Sequence, residues 1–320
     1  MKSSRLLLLL GTSSRMKSSA NAFGATAGST AAKNMSSNSP ECPEKQRHRK
    51  PHHYVFGYGS LMCPESRSIT NPNLIKREAL PVVIQDVERV WSARSSRGFT
   101  AMGVRFRKGA ECTGVLIEVK ADELADLDIR EAVYNRHPIQ LDNIDQVPFL
   151  EEEEFYDDNH PVFEAQDKSN PELDHDNVKV WIYMQKDPME ADQSHPIPQS
   201  YVDIIIRGCL TISEDFARSF IETTHGWKDD EDHWVDDREI PIYQRADTDY
   251  SEKHGETIDK LLEEHVEDEL QERVEYDPVE HLDALADALQ QDKAHPRAIK
   301  HIVTRVKEAA LSSSEGEEEK

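Results

Sequence analysis

The chain has 320 residues, a formal net charge of −24 and no apolar run longer than Leu6–Leu10, where a membrane-spanning helix needs ~20 such residues. That length admits one sizeable globular domain with additions, or two small domains, and the composition fits a soluble chain rather than one embedded in a membrane. An acidic surface of this kind repels phosphate backbones, which argues against nucleic acid as a partner.

The charge is unevenly placed. Residues 151–176 hold 11 acidic side chains and one lysine, and residues 246–320 hold 22 acidic and 9 basic ones, so these two segments carry −10 and −13 of the total. Four cysteines, Cys42, Cys63, Cys112 and Cys209, show no C-x-x-C spacing, which reads as free thiols in a reducing compartment.

Residues 1–45 read as a targeting or disordered N-terminus. The first 40 contain five basic and no acidic side chains, five leucines and ten serines, a composition suited to an organelle transit peptide for plastid or mitochondrion. The short string Ala20-Asn21-Ala22-Phe23 resembles the cleavage site of bipartite plastid presequences. An untidy N-terminus on a cytoplasmic protein is the alternative.

From residue 51 to 246 the pattern predicts a mixed α and β domain. Strands are expected at Tyr54–Phe56, Pro81–Arg89, Ala101–Phe106, Thr113–Val119, Arg136–Leu141 and Val178–Met184, from β-branched and aromatic enrichment over short lengths. Helices are expected at Ala121–Arg130, Gln199–Cys209 and Asp215–Thr223, from apolar residues at helical spacing. The acidic insertion 151–176 opens with four glutamates and has little periodic apolar signal, which predicts a solvated, mobile loop. Residues 247–311 predict a helical extension with three apolar stripes: Ile258 to Leu270, Leu282 to Leu289 and Ile299 to Val306. Asp277-Pro278 supplies an N-cap and a first-turn proline for the second helix. These helices are expected to pack on the domain, with engagement of a protein partner as the competing reading. Residues 312–320 read as a disordered tail.

Three stretches bear on chemistry. In Phe56-Gly57-Tyr58-Gly59-Ser60-Leu61 a strand runs into two glycines, which allow close backbone approach and positive φ, so that successive N–H groups can converge on an oxygen. The run lacks the lysine and the length of a phosphate-binding loop, which excludes a nucleotide site. A plain tight turn is the competing reading. Cys63 just behind it would need a histidine base and a lowered pKa to act as a nucleophile, and a buried structural cysteine is the simpler expectation. In Glu123–Arg136 the helix should end near Arg130, leaving Glu131 at the negative helix end beside apolar residues, where desolvation would raise its pKa toward that of a general base. The competing reading is a surface glutamate paired with Arg130 or Arg136. In Thr223–Asp247, His225 and His233 stand too far apart, with no further ligand grid, to suggest a metal, so none is expected; Trp227 and Trp234 should anchor the acidic loop between them.

Taken together, these stretches resemble the γ-glutamylcyclotransferase superfamily. Val55 to Leu61 is similar to its Y-G-S-L substrate loop, and Leu127-Asp128-Ile129-Arg130-Glu131 followed by Tyr134 to its L-D-x-R-E…Y segment. Ala101–Val104 and Gly114–Leu116 fit the intervening strands, while Tyr201–Gly208 and Trp234–Arg245 resemble a downstream helix and a W-x-x-D-R-x-x-P-x-Y-x-R ending. The resemblance implies an α+β fold with a mixed, barrel-like sheet and flanking helices, to which the C-terminal extension is added. It also implies an enzyme without cofactor that releases 5-oxoproline from a γ-glutamyl amine, dipeptide or glutathione. The substrate's own α-amine is then the nucleophile, Glu131 the base, and Phe56, Gly57, Tyr58, Gly59, Ser60 and Leu61 the substrate-binding residues. The acidic insertion, the C-terminal helices and the lack of a glycine before the tyrosine in Glu131-Ala132-Val133-Tyr134 depart from the common pattern. A catalytically idle binding module of the same fold is the alternative.

Overall fold

The computed structural model describes residues 51–150, 155–156, 160–169, 177–227 and 233–291. The expected targeting segment 1–45, the third apolar stripe from Ile299 to Val306 and the tail 312–320 lie outside the described residues.

The fold is α+β. In chain order the strands are β1 (His52–Gly57), β2 (Ala79–Ser95), β3 (Phe99–Val119), β4 (Tyr134–Ile139), β5 (Ile144–Asp145), β6 (Val178–Gln185), β7 (Ile197–Pro198), β8 (Thr224–His225), β9 (Trp234–Asp236) and β10 (Val274–Glu275). The helices are α1 (Pro64–Thr70), α2 (Ala121–Arg130), α3 (Pro161–Glu164), α4 (Gln199–Leu210), α5 (Glu214–Glu222), α6 (Thr248–Gln271) and α7 (Pro278–Gln291). The main sheet curls as a half-barrel in the order β4-β6-β1-β3-β2-β5, with β8 also on β2; β10, β9 and β7 form a small second sheet. Among the described residues no helix is long and apolar enough to cross a membrane.

β1 is central, antiparallel to β3 (Gly57 opposite Val115) and parallel to β6 (Phe56 opposite Ile182). Its last four residues are all buried, as expected of a strand covered on both faces. The chemistry-bearing loop therefore leaves from the middle of the sheet.

The expected break between Ala101–Phe106 and Thr113–Val119 is instead one strand, β3, that pairs with β2 along nearly its whole length. The pairing steps from Val87–Phe106 to Gln85–Glu111, and the bulge this leaves is closed by the Gly109 N–H donating to Asp86 Oδ1 at 2.7 Å, with φ +61° at Asp86 and +78° at Gly109. The bulge is exposed and polar, so its composition resembles a loop although the chain stays extended.

α4 is buried at ten of its twelve positions. A helix apolar on most sides is a core helix rather than a surface one. α6 belongs to the same core: Ile258 and Leu262 are fully buried, and Leu261, Val266 and Leu270 complete the stripe. In α7, Leu285 is buried and Leu282 only partly so. Asp277 caps α7, accepting from the Val279 N–H at 2.7 Å.

The acidic insertion differs from expectation where it is described. Val162 of α3 is fully buried, and the Tyr156 hydroxyl donates to Pro81 O while accepting from the Val147 N–H. One apolar anchor and a bridging phenol tie this stretch to the sheet despite the surrounding charge.

Candidate active site

The loop after β1 is held from below. Arg67 of α1 is buried, and its guanidinium donates to the carbonyls of Leu61 (3.4 Å), Met62 (3.2 Å), Leu74 (2.9 Å) and Arg77 (2.8 Å). A buried cation satisfied by four carbonyls costs little only while all of them stay in place, so Arg67 fixes the loop's path. The Met62 N–H closes a turn onto Gly59 O at 2.9 Å.

Of the two properties expected of the glycines, close approach and positive φ, the second is not used. Neither Gly57 nor Gly59 has positive φ; among the described residues the glycines that do are Gly98, Gly109 and Gly226. Instead, a Cβ on Gly59 would lie 3.1 Å from Tyr201 Oη and 3.2 Å from Met102 Cβ, and one on Gly57 would lie 3.1 Å from Leu61 Cβ. Close packing, not backbone conformation, is what calls for glycine here. The N–H groups of Ser60 and Leu61 have no acceptor among the described residues.

Glu131 is the C-cap of α2, its N–H bonded to Leu127 O at 2.8 Å and its carbonyl accepting from the Tyr134 N–H at 2.8 Å. α2 takes this position because Leu124 and Leu127 are buried. Its helical turn ends with the carboxylate aimed into a small open cleft, which it shares with Phe56, Tyr58, Gly59, Ser60 and Leu61. Met102, Tyr134, Tyr183 and Tyr201 complete the lining. Of the residues expected to bind substrate, only Gly57 stays outside the lining, at the end of β1.

The carboxylate side chain is 15% exposed and burial raises its pKa, against the opposing pull of Arg130 and Arg245. The two competing expectations for Glu131 thus both hold in part: it is a desolvated carboxylate, and it is paired, with Arg130 Nε 2.8 Å from Oε1. Arg130 does more than neutralise. Its Nη2 donates to Ser60 Oγ at 2.9 Å, and its Nη1 donates to Thr70 Oγ1 at 2.9 Å and Ser66 O at 3.2 Å, so one guanidinium ties the loop to the carboxylate.

Tyrosines form the walls. The Tyr58 hydroxyl donates to Tyr183 O at 2.5 Å, the Tyr183 hydroxyl to Asp128 Oδ1 at 2.7 Å, and the Tyr134 hydroxyl to Met102 O at 3.2 Å. Tyr201 packs edge-on against Tyr243, with ring centroids 4.7 Å apart. Burial pushes all four phenols lining the cleft upward, so each is a neutral hydroxyl near neutral pH.

Cys63 is fully buried at the N-cap of α1, and burial pushes its thiol up to about 11, the opposite of an activated nucleophile. His225 lies over Glu88 on β2, with Nε2 3.6 Å from its carboxylate. His233 lines a different cavity beside Val274 and His281. Trp227 and Trp234 are both buried, with ring centroids 5.0 Å apart; residues 228–232, the acidic loop they were expected to anchor, lie outside the described residues.

The cleft therefore offers one desolvated carboxylate, two loop amides and neutral hydroxyls, and no activated side-chain nucleophile among its described residues. Such a set can accept and return a proton and stabilise an oxyanion when the attacking atom belongs to the bound molecule. Arg67 and the tyrosines from β4, β6 and α4 had no role in the sequence reading, although the quoted motifs contain Tyr134 and Tyr201; Arg130 entered it as a partner of Glu131, not as the tie to Ser60.

No family model and no curated protein matches the chain. Among solved structures, one described as a gamma-glutamyl cyclotransferase superposes with a TM-score of 0.37 at 15% identity, over 53% of this chain and 86% of its own. Bacillus subtilis YkqA gives a TM-score of 0.35 at 16% identity, over 55% of this chain and 57% of its own. A yeast protein described as a gamma-glutamyl cyclotransferase specific to glutathione gives 0.31 at 13% identity, over 68% of this chain and all of its own. Identities and scores at this level assign no role to any residue of the present chain.

Proposed function

We propose that the chain is a γ-glutamylcyclotransferase that closes the γ-glutamyl group of its substrate to 5-oxoproline and expels the attached amine. The observation that carries this reading is the meeting of Glu131, desolvated, with the glycine-framed loop Tyr58–Leu61 in one tyrosine-walled cleft, from elements about 70 residues apart in sequence. The motif resemblance supplies the reaction class, and the absence of an activated nucleophile among the cleft's described residues suits a reaction whose nucleophile is the substrate's α-amine.

The steps balance without any cofactor. The α-ammonium gives a proton to the Glu131 carboxylate, and the freed nitrogen attacks the γ-carbonyl carbon, closing a five-membered ring. The carbonyl oxygen becomes an oxyanion, which the N–H groups of Ser60 and Leu61 are available to receive. As the oxyanion collapses, the bond to the leaving nitrogen breaks and Glu131 returns its proton to that nitrogen; the regenerated carboxylate then takes the second proton from the ring nitrogen, which leaves neutral 5-oxoproline, and the released amine collects that proton. Holding the flexible γ-glutamyl chain folded over the loop supplies the remaining advantage through orientation. A raised pKa suits Glu131 to both halves of this proton shuttle.

The test is to incubate the chain with glutathione and a panel of γ-glutamyl dipeptides and amines while quantifying 5-oxoproline. Release by the parent chain and its loss in Glu131→Gln, with unchanged circular dichroism, supports the reading; no release from any donor sinks it. A second reading, a binding module without turnover, draws on the Arg130–Glu131 ion pair, which would make the carboxylate a structural partner. It expects Glu131→Gln to lower stability, through loss of that pair, instead of abolishing a reaction.

A further inference from the structure

We propose that α7 is a proton-released clasp on the cleft: with His281 neutral it holds the turn between β2 and β3 against the Tyr201 wall, and protonation of that imidazole lets the turn go.

The clasp is built in the first turns of α7. His281 is buried, with Nε2 2.7 Å from Gly98 O and 3.2 Å from Ser194 O, and Nδ1 2.9 Å from the Tyr276 hydroxyl. Carbonyl oxygens only accept, so Nε2 carries the hydrogen and Nδ1 accepts from the phenol. One helical turn further on, Leu285 is buried against the same hairpin turn: a Cβ on Gly98 would lie 2.8 Å from Leu285 Cδ2.

What the clasp grips leads to the cleft by two routes. Phe99, the next residue, is buried against Tyr201 and Tyr243, with ring centroids 6.1 and 5.9 Å away, and Met102 further along β3 lines the cleft beside Tyr201. The other gripped carbonyl, of Ser194, precedes His195 and Pro196, whose own carbonyls accept from the Thr100 hydroxyl at 2.7 Å and the Thr100 N–H at 2.8 Å. From Pro196 the chain enters β7 and then α4, which carries Tyr201. One imidazole thus joins the C-terminal extension to both elements that bear this wall.

A charged His281 is poorly accommodated there. Its partners are two carbonyls and a phenol, with no carboxylate among them. A hydrogen on Nδ1 would meet the hydrogen of the phenol, and the positive charge would lie at the positive end of α7. Burial lowers the pKa of the imidazole accordingly. Charged groups do surround it. Glu275, Asp277 and Glu280 stand exposed around the adjoining depression, with His233 on β9. In the 192–196 segment Asp192 is ion-paired with Arg94 and lies beside His195, and the hairpin turn adds the exposed Arg97. The three exposed carboxylates favour the imidazolium, but solvent and salt screen them. A free imidazole titrates at about 6.5 and the clasped one lower, so the clasped form binds fewer protons. Clasping is therefore complete above the free value and weakens as pH falls through it.

The test is hydrogen exchange on the full chain, with rates corrected for the intrinsic effect of pH and expressed as protection. Between about pH 7.5 and 5.5, protection of α7 and of residues 97–102 should fall together by roughly 3- to 10-fold, within the tenfold per pH unit that one proton permits, while α2 stays unchanged. His281→Gln keeps a donor for the two carbonyls and cannot be charged, so in that variant both profiles should be flat. Protection of α7 that ignores pH, an equal fall in His281→Gln, or a fall in α7 that leaves residues 97–102 unmoved overturns the proposal. Where glutamine fails to seat α7, the imidazole resonance missing from the variant's spectrum identifies His281 in the parent chain. Its titration midpoint must then coincide with the midpoint of the loss of protection, and separate midpoints overturn the proposal. No turnover enters these measurements, so the cyclotransferase reading stands or falls independently of them.

Discussion

Two clusters of buried charge flank α4, and they are built on different terms. On one face, Asp203 is bound by Arg238 Nε and Nη2, each at 2.9 Å, by Ser251 Oγ at 2.6 Å and by Gln199 Nε2 at 2.9 Å. Asp259 in turn takes both Arg238 and Arg273. Two residues before Asp203, on the opposite side of the helix, Tyr201 faces Glu131; among the described residues Glu131 has a single ion-pair partner and Arg245 has none. The first cluster saturates every charge and so binds α6 and β9 to α4. The second leaves capacity unused at the carboxylate, the loop amides and one arginine. Unspent hydrogen-bonding capacity facing a cleft, more than burial itself, separates a site from a brace.

The comparison is broken most sharply by Glu131→Gln. It should lower kcat by about 10²- to 10⁴-fold, the range of general acid–base catalysis, while the urea midpoint changes little; initial-rate assays and denaturation together check this. Arg238→Ala should do the reverse. It leaves Asp203, 1% exposed, without its cation and should cost about 3–5 kcal/mol in urea unfolding, with activity per folded molecule retained. A smaller effect is expected in the pH profile. Glu131 works as a carboxylate and its pKa is raised, so kcat/KM should fall on acidification at a pH above the ordinary glutamate value of about 4.3. Arg130 opposes that rise, so Arg130→Gln should carry the acidic limb to still higher pH. Least of all, Ser60→Ala removes one acceptor from Arg130 and should cost about 1 kcal/mol, roughly fivefold in kcat/KM.

The sequence was informative where chemistry and chain order coincide. The loop at 56–61 and Glu131 lie in two short stretches whose residue types are unusual, and α2 runs over the expected Ala121–Arg130. Tyr183 and Tyr201 were hidden because a wall tyrosine sits on a strand or helix with the same spacing as a core residue, and only the three-dimensional packing tells them apart. Arg67 was hidden for another reason. Its acceptors are backbone carbonyls, which leave no mark on composition. The β2–β3 bulge misled because exposure, not backbone conformation, decides which residues a strand can carry. Of the two reasons for singling out the glycines, left-handed conformation fails and tight packing takes its place, since both select the same residue.

One contact of α4 bears on how the site is made. A Cβ on Gly208 would lie 2.6 Å from Cys63 N and 2.7 Å from Met62 C, so the helix presses directly on the stretch that follows the loop. β1 meanwhile takes one neighbour from β6, with His52 opposite Val178. On the ribosome, residues 57–63 would emerge long before either support exists, and would wait through some 150 further residues for the helix that seats them. Pairings so distant in sequence are slow to close. During refolding, the tyrosine-walled cleft should therefore form late, after the local β2–β3 hairpin, and return of activity should lag behind return of sheet structure.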